Sequence, residues 1–473
     1  MALEMVWKTT KKYTFFLWLF VILLFGVAFF YHIFFPSIFE YFSDFYTSKN
    51  SWRQSYLDTR IYGYRPMLFA LALAALIWAL LIAYRHSLLR IFTPIDIFFS
   101  KRKNFILIFL GLILCVLAFY FSQREWIRFG KPCWNNYCIY ADLIRAALFE
   151  NDPGARESLK RFLEIEYHAN SPGVPFLTAS ISILSGSTSI VAFRILCSLC
   201  TIISFVFIWR FVRRFTEFSS NNYFPTLFLL GSNFVIVRSS SFPQTDAAIF
   251  LWITASLYFA RKYLEHRNWR NSIMCFILLV SGLFIKLSFL PALTLIPLWS
   301  LIYDYPRCSI KTSKKSKSWS WKKAILQLVK EGLLYSLLPL CIYLLWQYKV
   351  GTLHHYKTEF GLMQTEDTYL SAHIVCLLQS GLFFYFLILY GVKRLGKTEC
   401  LLICWGILYW LSLIFSGASG WSRFYLGILP TLGIVSGVGL ECLRENLGKT
   451  YLWIYCIISA VLSYTALSLN LYY

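Results

Sequence analysis

The sequence contains ionisable residues whose types suit a transfer reaction at the edge of a membrane. The candidates are Asp142, Glu164, Glu166, His168, Asp246, Lys286 and Arg423. A carboxylate can deprotonate an attacking hydroxyl group, whereas lysine and arginine can hold a phosphate leaving group. Group transfer from a phosphate-activated donor needs both kinds of side chain. A transporter for an anionic substrate would need similar cations, so the residue types alone leave both functions open.

Each of these residues, taken singly, could also be a polar side chain that reaches the interface between membrane and water. Because a charge within hydrocarbon costs several kcal/mol, such residues are expected to face a cavity or that interface. We predict a shared site, because the topology derived below places the whole set on one side of the membrane. The sequence contains neither an H-E-x-x-H nor a G-x-S-x-G motif, so a zinc protease or a serine hydrolase is not indicated.

The elements that must position these residues are membrane-spanning helices. The chain is 58% hydrophobic and 14% charged, whereas soluble domains carry about 25% charged residues. Apolar runs such as Phe15–Phe30, Met67–Tyr84 and Leu401–Phe415 approach or exceed the roughly 17 to 25 residues that cross a bilayer as a helix. Within the bilayer, a segment that is not part of a closed β-barrel can form all its backbone hydrogen bonds internally only as a helix. The sequence therefore predicts an all-α, polytopic integral membrane protein.

The net charge of +22 could indicate a nucleic-acid partner, but the positions of the charges argue against one. The basic residues are concentrated in short segments between apolar runs: Arg85–Arg90, Lys101–Lys103, Arg210–Arg214, Arg261–Arg270, Lys311–Lys323 and Lys393–Lys397. This distribution is typical of cytoplasmic loops. The expected partners of these segments are the acidic lipid headgroups of the inner leaflet, and no nucleic acid is expected.

Placing every basic loop in the cytoplasm gives a consistent topology of about thirteen transmembrane helices. The predicted spans are 14–35, 66–84, 105–122, 189–212, 223–238, 243–260, 272–288, 290–303, 333–348, 371–391, 399–416, 424–441 and 451–470. Residues 1–122 form N-terminal transmembrane helices that include an accessory hairpin. Residues 123–188 form an external loop that carries the predicted active site, and residues 189–473 form the transmembrane core.

The external loop is predicted to contain juxtamembrane helices. In Arg156–Tyr167, Leu159, Phe162, Leu163 and Tyr167 recur at helical spacing, which predicts an amphipathic helix on the membrane surface. Val174–Leu184 is apolar but short for a span, so we expect a juxtamembrane or re-entrant helix. The same loop contains Cys133 and Cys138, which could close a short disulfide in an oxidising compartment.

From Cys133 to about Leu440 the chain resembles the GT-C superfamily of polytopic glycosyltransferases, especially protein O-mannosyltransferases and the lipid A aminoarabinose transferase. Asn135–Arg145 resembles the acidic motif and tyrosine-alanine step of their first external loop. His168–Pro175 resembles the histidine-proline stretch that follows, and Ala192–Leu196 the start of the next span.

Later motifs continue the resemblance in the same order. Pro243–Asp246 is similar to the family's external entry into a span, and Gly282–Ser288 to its helix end with glycine and lysine. Trp421–Tyr425 is similar to the late arginine-aromatic motif before a proline-bearing helix. One departure concerns the family's first acidic dyad, which aligns with Asn136–Tyr137, so the usual carboxylate is missing there.

The resemblance implies transfer of a sugar from a polyprenyl-phosphate-linked donor to an external lipid, glycan or protein. It implies Asp142 as the general base, Asp246 as a second acidic group and His168 as a residue that orients the acceptor. Lys286 and Arg423 would bind the donor phosphate. Asn136, Glu164 and Glu166 are further candidates for substrate binding. The missing dyad leaves a non-catalytic relative as one alternative, and a transporter or flippase of an anionic lipid-linked sugar as the other.

No metal-ligand set is predicted, although carboxylates of this kind are compatible with a divalent metal ion as cofactor. The expected partners are the lipid-linked donor and membrane lipids. The sequence lacks any N-x-Ser/Thr glycosylation acceptor, which favours a bacterial inner membrane with an outward-facing site over the membrane of the endoplasmic reticulum.

Overall fold

The computed structural model describes residues 135–165, 171–216, 223–233, 235–236, 239, 245–304, 321–352, 381, 383–415, 422–448 and 452–460. The predicted spans 14–35, 66–84 and 105–122 lie outside these residues. The chain divides into two compact units, 1–112 with 443–473 and 113–442. The described candidate residues belong to the second unit. Its described residues form helices joined by short turns and contain no strand, which confirms the predicted all-α class.

The first helices are α1 (Asn135–Ile144), which continues as a π-helical turn over Arg145–Phe149, α2 (Pro153–Ile165), α3 (Gly173–Ser185) and α4 (Ser189–Phe215). They are followed by α5 (Tyr223–Gly231), α6 (Asp246–His266), α7 (Trp269–Ile285), a 3-10 helix (Leu287–Thr294) and α8 (Leu295–Asp304). Next come α9 (Trp321–Gly332), a π-helical turn (Leu333–Leu337), α10 (Leu338–Val350), α11 (383–391) and a 3-10 turn (Val392–Arg394). The last are α12 (Lys397–Phe415), a 3-10 helix (Ser422–Gly427), α13 (Leu429–Leu447) and α14 (452–460).

Among the described helices, two are long and apolar enough to cross a bilayer on their own, Ser189–Phe215 and Ile325–Val350. They coincide with the predicted spans 189–212 and 333–348. The predicted span 290–303 is not a single α-helix, because its first residues belong to the 3-10 helix Leu287–Thr294. This helix contains Pro291, and proline lacks the backbone N–H that a regular α-helix uses. The total of about thirteen spans stays a prediction.

The packing of α4, α6 and α7 shows which ends of these three helices lie together. Near the carboxyl ends of α4 and α6, Arg214 Nη2 lies 3.0 Å from Glu265 Oε2, so these two helices run parallel. Helix α7 runs antiparallel to α6. The two are joined by a hydrogen bond that Trp252 Nε1 on α6 donates to Ser281 Oγ on α7 over 2.7 Å. We call the end that contains Ser189, Asp246 and Lys286 the site end.

The opposite end of the bundle, which we call the basic end, contains a second set of cross-helix contacts. Arg267, between α6 and α7, donates from Nη2 to Ser300 Oγ on α8 over 2.9 Å. Its Nη1 lies 3.3 Å from Glu331 Oε1 on α9. The basic end therefore gathers the residues around the loops that were predicted to be cytoplasmic.

Helices α1, α2 and α3 pack together into a small unit that we call the roof. Half-buried Leu159, Phe162 and Leu163 of α2 pack against a buried cluster of Tyr140, Ala141, Ile144 and Ala179 from α1 and α3. The predicted amphipathic helix is confirmed over Pro153–Ile165, and Tyr167 lies outside the described residues. Its apolar face packs against α1 and α3, whereas the sequence predicted that this face lies on the membrane surface.

The roof is seated directly on the site end through Gly173, the first residue of α3. A Cβ atom at Gly173 would lie 2.9 Å from the backbone carbonyl oxygen of Phe284 and 3.0 Å from the Ile285 side chain, both at the end of α7. Only a residue without a side chain allows this approach. The helix predicted over Val174–Leu184 is confirmed over Gly173–Ser185, and its first residue lies against the end of α7.

Candidate functional site

The centre of the candidate site is an ion pair between Asp246 and Lys286. Lys286 Nζ donates to Asp246 Oδ1 over 2.7 Å. The Asp246 side chain is 4% exposed and that of Lys286 is 19% exposed. The two residues are 40 positions apart in the sequence, and the pair exists because α6 begins where its antiparallel neighbour α7 ends.

The local sequence explains why Lys286 is available to make this contact. Helix α7 ends at Ile285, and Lys286 has an extended backbone before the chain enters the 3-10 helix Leu287–Thr294. The ring of Phe289 then packs over Gly282, where a Cβ atom would lie 2.5 Å from Phe289 Cζ. This reversal directs Lys286 to the start of α6 instead of into the surrounding helices.

A buried ion pair alone is weak evidence for function, because desolvation can cost more than the attraction returns. In this pair, however, the acid is almost fully buried and the lysine is partly exposed. An ammonium group has three N–H donors, so a lysine that contacts a carboxylate can also contact an anionic ligand. The arrangement can hold a phosphate while the carboxylate fixes the position of the amine.

The segment that carries Arg423 reaches the same region. The 3-10 helix Ser422–Gly427 packs against α6 and α12. A Cβ atom at Gly427 would lie 2.7 Å from the hydroxyl oxygen of Tyr409 on α12. Helix α12 also packs against the 3-10 helix Leu287–Thr294, which follows Lys286 directly. The backbone of Arg423 is thus brought to the site end, and its side chain lies outside the described side chains.

Sequence reasoning missed Tyr409. It is 1% exposed and lies under Gly427, at the end of the segment that carries Arg423. Its ring also contacts that of Trp405, with 5.6 Å between the ring centroids. An aromatic residue in an apolar helix carries no distinguishing pattern, so only the packing of α12 against the site end reveals it.

Asp142 lies on α1 of the roof and is bound to the start of α4. The hydroxyl group of Ser189, the first residue of α4, donates to Asp142 Oδ1. Ser189 is buried, whereas Asp142 is exposed. An exposed carboxylate at this position can accept a proton from an incoming acceptor, and its contact with Ser189 places it at the site end.

The Asp142 carboxylate affects the pKa of Cys138, whose thiol lies one helical turn earlier on α1. Burial, together with the nearby Asp142 carboxylate, raises the pKa of Cys138 from 9.0 to about 11. Cys138 is a buried free thiol in the structure, and Cys133 lies outside the described residues. The disulfide considered from the sequence is therefore not formed through Cys138 here.

Of the remaining candidate residues, the structure describes the side chain of Glu164 only. Glu164 is exposed on α2. Asn136 is in the first turn of α1, but its side chain lies outside the described side chains, and Glu166 and His168 lie outside the described residues. Over the described part of the chain, no group of three His, Cys, Asp or Glu residues could hold a metal ion.

Gly391–Thr398 matches the spacing of a phosphate-binding glycine loop, G-x-x-x-x-G-K-T. In nucleotide-binding proteins that loop joins a strand to a helix. Here it joins α11 to α12 through a 3-10 turn. A Cβ atom at Gly391 would lie 2.7 Å from the backbone nitrogen of Gly439, so this glycine serves helix packing.

Comparisons with known proteins show what the chain is similar to. Residues 169–320, which include Asp246 and Lys286, match the family model described as dolichyl-phosphate-mannose-protein mannosyltransferase. The crystal structure of ArnT from Cupriavidus metallidurans bound to undecaprenyl phosphate is similar at a TM-score of 0.50 and 12% sequence identity. The similarity covers 77% of this chain and 76% of ArnT. ArnT is a GT-C glycosyltransferase. The chain has the GT-C fold.

The predicted resemblance to the GT-C superfamily is thereby confirmed, and the chain is an integral membrane protein. A second crystal structure, of the same ArnT in the apo state, gives a TM-score of 0.45 at 13% identity, with 72% of this chain and 60% of ArnT covered. No curated protein sequence matches the chain. Within the GT-C fold, the Asp246–Lys286 pair lies in the part that the family model matches.

Proposed function

We propose that this GT-C chain transfers a sugar from a polyprenyl-phosphate-linked donor to an external lipid, glycan or protein. The observation that carries the proposal is the Asp246–Lys286 ion pair at the site end. A partly exposed cation held by a buried carboxylate suits the phosphate of a departing lipid. The likeness to a GT-C structure bound to undecaprenyl phosphate supports a donor of this class.

The proposed roles divide the site between the roof and the bundle. Asp142, exposed on α1, is the general base for the acceptor hydroxyl. Asp246 is the second acidic group and orients Lys286 through their 2.7 Å contact. Lys286 and Arg423 bind the donor phosphate. His168 orients the acceptor, and Asn136, Glu164 and Glu166 take part in substrate binding.

The proposed site faces away from the cytoplasm, and the proposed location is the inner membrane of a bacterium. The support for this orientation is the separation of charges in the second unit of the chain. Arg214 and Arg267 lie at the basic end, whereas the Asp246–Lys286 pair lies at the other. Since positively charged loops stay in the cytoplasm, the roof and the site end would be external.

The proposal is tested with the purified full chain in detergent, by following release of undecaprenyl phosphate from an undecaprenyl-phosphate sugar while the sugar passes to acceptor hydroxyl groups in a heat-treated membrane extract. Lys286→Met should lower turnover at least about 100-fold, as expected when a charged group that stabilises the leaving phosphate is lost. Detergent micelles have no second compartment. Donor consumption there would therefore distinguish a transferase from a transporter or flippase, and from a non-catalytic relative that turns over nothing.

A matched control separates chemistry from folding, because Lys286→Met also leaves Asp246 buried without its cation. Arg267→Met removes the cation from Glu331, a carboxylate that is 1% exposed at the basic end. Both variants should lose thermal stability, but only Lys286→Met should lose turnover beyond its loss of folded protein. Equal turnover in the two folded variants would refute the proposed role of the Asp246–Lys286 pair.

A further inference from the structure

The roof contains a cation beside Asp142, the guanidinium group of Arg145. The two residues are three positions apart where α1 passes into its π-helical turn, so they lie on neighbouring parts of one helix face. Arg145 Nη1 donates to Ser182 Oγ on α3 over 3.2 Å, and Ser189 on α4 donates to Asp142. Asp142 and Arg145 are therefore both turned towards the connection between α3 and α4.

The guanidinium group of Arg145 is incompletely hydrogen-bonded. Among the described residues, its Nε atom is buried and has no hydrogen-bond partner, although Glu150 Oε1 lies 3.2 Å away. A guanidinium group has five N–H donors in a planar fork that matches two oxygens of a carboxylate or phosphate. The Arg145 side chain is 33% exposed, so part of this fork is open to a ligand.

The Glu150 carboxylate lies where an anionic ligand of Arg145 would bind. The backbone N–H of Glu150 donates to the carbonyl oxygen of Arg145 over 3.1 Å, which places Glu150 one π-helical turn after Arg145. Such turns are rare and often occur at functional sites. The Glu150 side chain is 56% exposed, and an ion pair this open to water is weak. A better-aligned anion can therefore displace it.

We propose that Arg145 binds an anionic group of the acceptor, a phosphate or a carboxylate, and that Glu150 occupies Arg145 until the acceptor binds. This inference rests on the proposed function, which assigns the acceptor hydroxyl group to Asp142 and the donor phosphate to Lys286 and Arg423. Because Asp142 and Arg145 share one face of the roof, the anionic group lies near the hydroxyl group that receives the sugar. The acceptor is therefore a negatively charged molecule and not a neutral one.

The experiment separates the heat-treated membrane extract on an anion-exchange resin and offers each fraction as acceptor to the purified full chain in detergent. The fraction that the resin retains should receive the sugar, and the neutral fraction should not. With the retained fraction, Arg145→Gln should raise the KM for the acceptor at least about tenfold, as expected when hydrogen bonds to a charged group are lost. The KM for the undecaprenyl-phosphate sugar should not change.

Glu150→Gln should have the opposite effect, because it removes the carboxylate that competes for Arg145. The KM for the retained fraction should fall about two- to fivefold, the strength expected of an exposed ion pair. A purely structural ion pair predicts no such fall. Since Glu150 is exposed, this variant keeps the inference testable even if Arg145→Gln does not fold.

Arg161→Gln is the matched control. Arg161 is exposed on α2, so its replacement removes the same charge from the roof and should leave both KM values unchanged. Transfer to the neutral fraction, an unchanged or raised KM in Glu150→Gln, or an equal rise in Arg145→Gln and Arg161→Gln would overturn this inference alone. If neither fraction receives sugar from the wild-type chain, the proposed function and this inference fail together.

Discussion

At the scale of single residues, the candidate site depends on which carboxylate is exposed and which is buried. Asp142 is exposed and accepts a hydrogen bond from Ser189, whereas Asp246 is 3% exposed and paired with Lys286. A general base must meet its substrate, and a buried carboxylate that is held by a lysine is better suited to orienting that lysine. The two environments thus separate the proposed roles of two residues of identical chemistry.

Asp142→Asn tests this division. The amide keeps an oxygen that can accept from Ser189, so the link between α1 and α4 is retained while the base is lost. Turnover of the lipid-linked sugar should fall by about 10² to 10⁴, the range typical of general acid-base catalysis. Normal turnover at a normal protein level would assign the base to another carboxylate.

The same variant has a second readout that does not depend on activity. Because the Asp142 carboxylate contributes to the raised pKa of Cys138, about 11, its removal should lower that pKa and increase the thiolate fraction at a given pH. Alkylation of Cys138 at pH 8, measured by mass spectrometry of its peptide, should be faster in Asp142→Asn than in wild type. Cys400, which is exposed on α12, is the internal reference and should react equally in both.

At the scale of elements, the roof and the bundle meet through close backbone contact. The start of α3 lies against the end of α7 at Gly173, and the Ser422–Gly427 segment lies against α12 at Gly427. Neither contact has room for a side chain. These two glycines therefore let two segments that are far apart in sequence, the start of α3 and Ser422–Gly427, approach the region of the Asp246–Lys286 pair.

Gly173→Val should displace the roof from α7. The valine Cβ would lie 2.9 Å from the carbonyl oxygen of Phe284, and a helix backbone cannot move aside as a flexible side chain can. We expect a destabilisation of about 1 to 3 kcal/mol, as for overpacking in a core, together with reduced turnover, measured by thermal unfolding and by the donor assay.

Gly154→Ala provides the comparison for that variant. Gly154 lies in the first turn of α2, and its Cβ would meet Asp152 Oδ1 at an ordinary 3.4 Å. This substitution should leave both the unfolding midpoint and turnover near wild type. If Gly173→Val behaved in the same way, the contact between roof and bundle would not position the site.

At the scale of the whole molecule, the described helices of the second unit separate the basic loops from the roof and the site end. Within the second unit, Arg267 contacts Ser300 on α8 and Glu331 on α9, so the residues that flank the basic loop 305–320 lie at the basic end. The roof and the Asp246–Lys286 pair belong to the site end. This separation agrees with the orientation derived from the basic loops.

A topology measurement checks that orientation directly. Ser316→Cys introduces a thiol into the basic loop and should resist an impermeant thiol reagent in intact cells. Glu157→Cys, on the exposed side of α2 in the roof, should react readily under the same conditions. The reverse pattern, with labelling at position 316 and protection at position 157, would invert the proposed topology and place the site in the cytoplasm.

The sequence by itself determined the class of protein, the extents of α3 and α4, and the order of the motifs that contain Asp246 and Lys286. These features follow from hydropathy, loop charge and local turn signals, each of which acts over a few neighbouring residues. The resemblance to GT-C proteins rests on the same local motifs.

Only the tertiary structure decided that Asp246 pairs with Lys286, that Ser189 donates to Asp142, and that Tyr409 lies against Gly427. These contacts join residues that are far apart in sequence. They depend on which helix faces meet and on how closely each glycine lets another segment or side chain approach. A periodic apolar pattern shows that a helix is buried but not which residue of another helix lies opposite. The sequence therefore identified Asp246 and Lys286 separately but not their pairing, and it missed Tyr409.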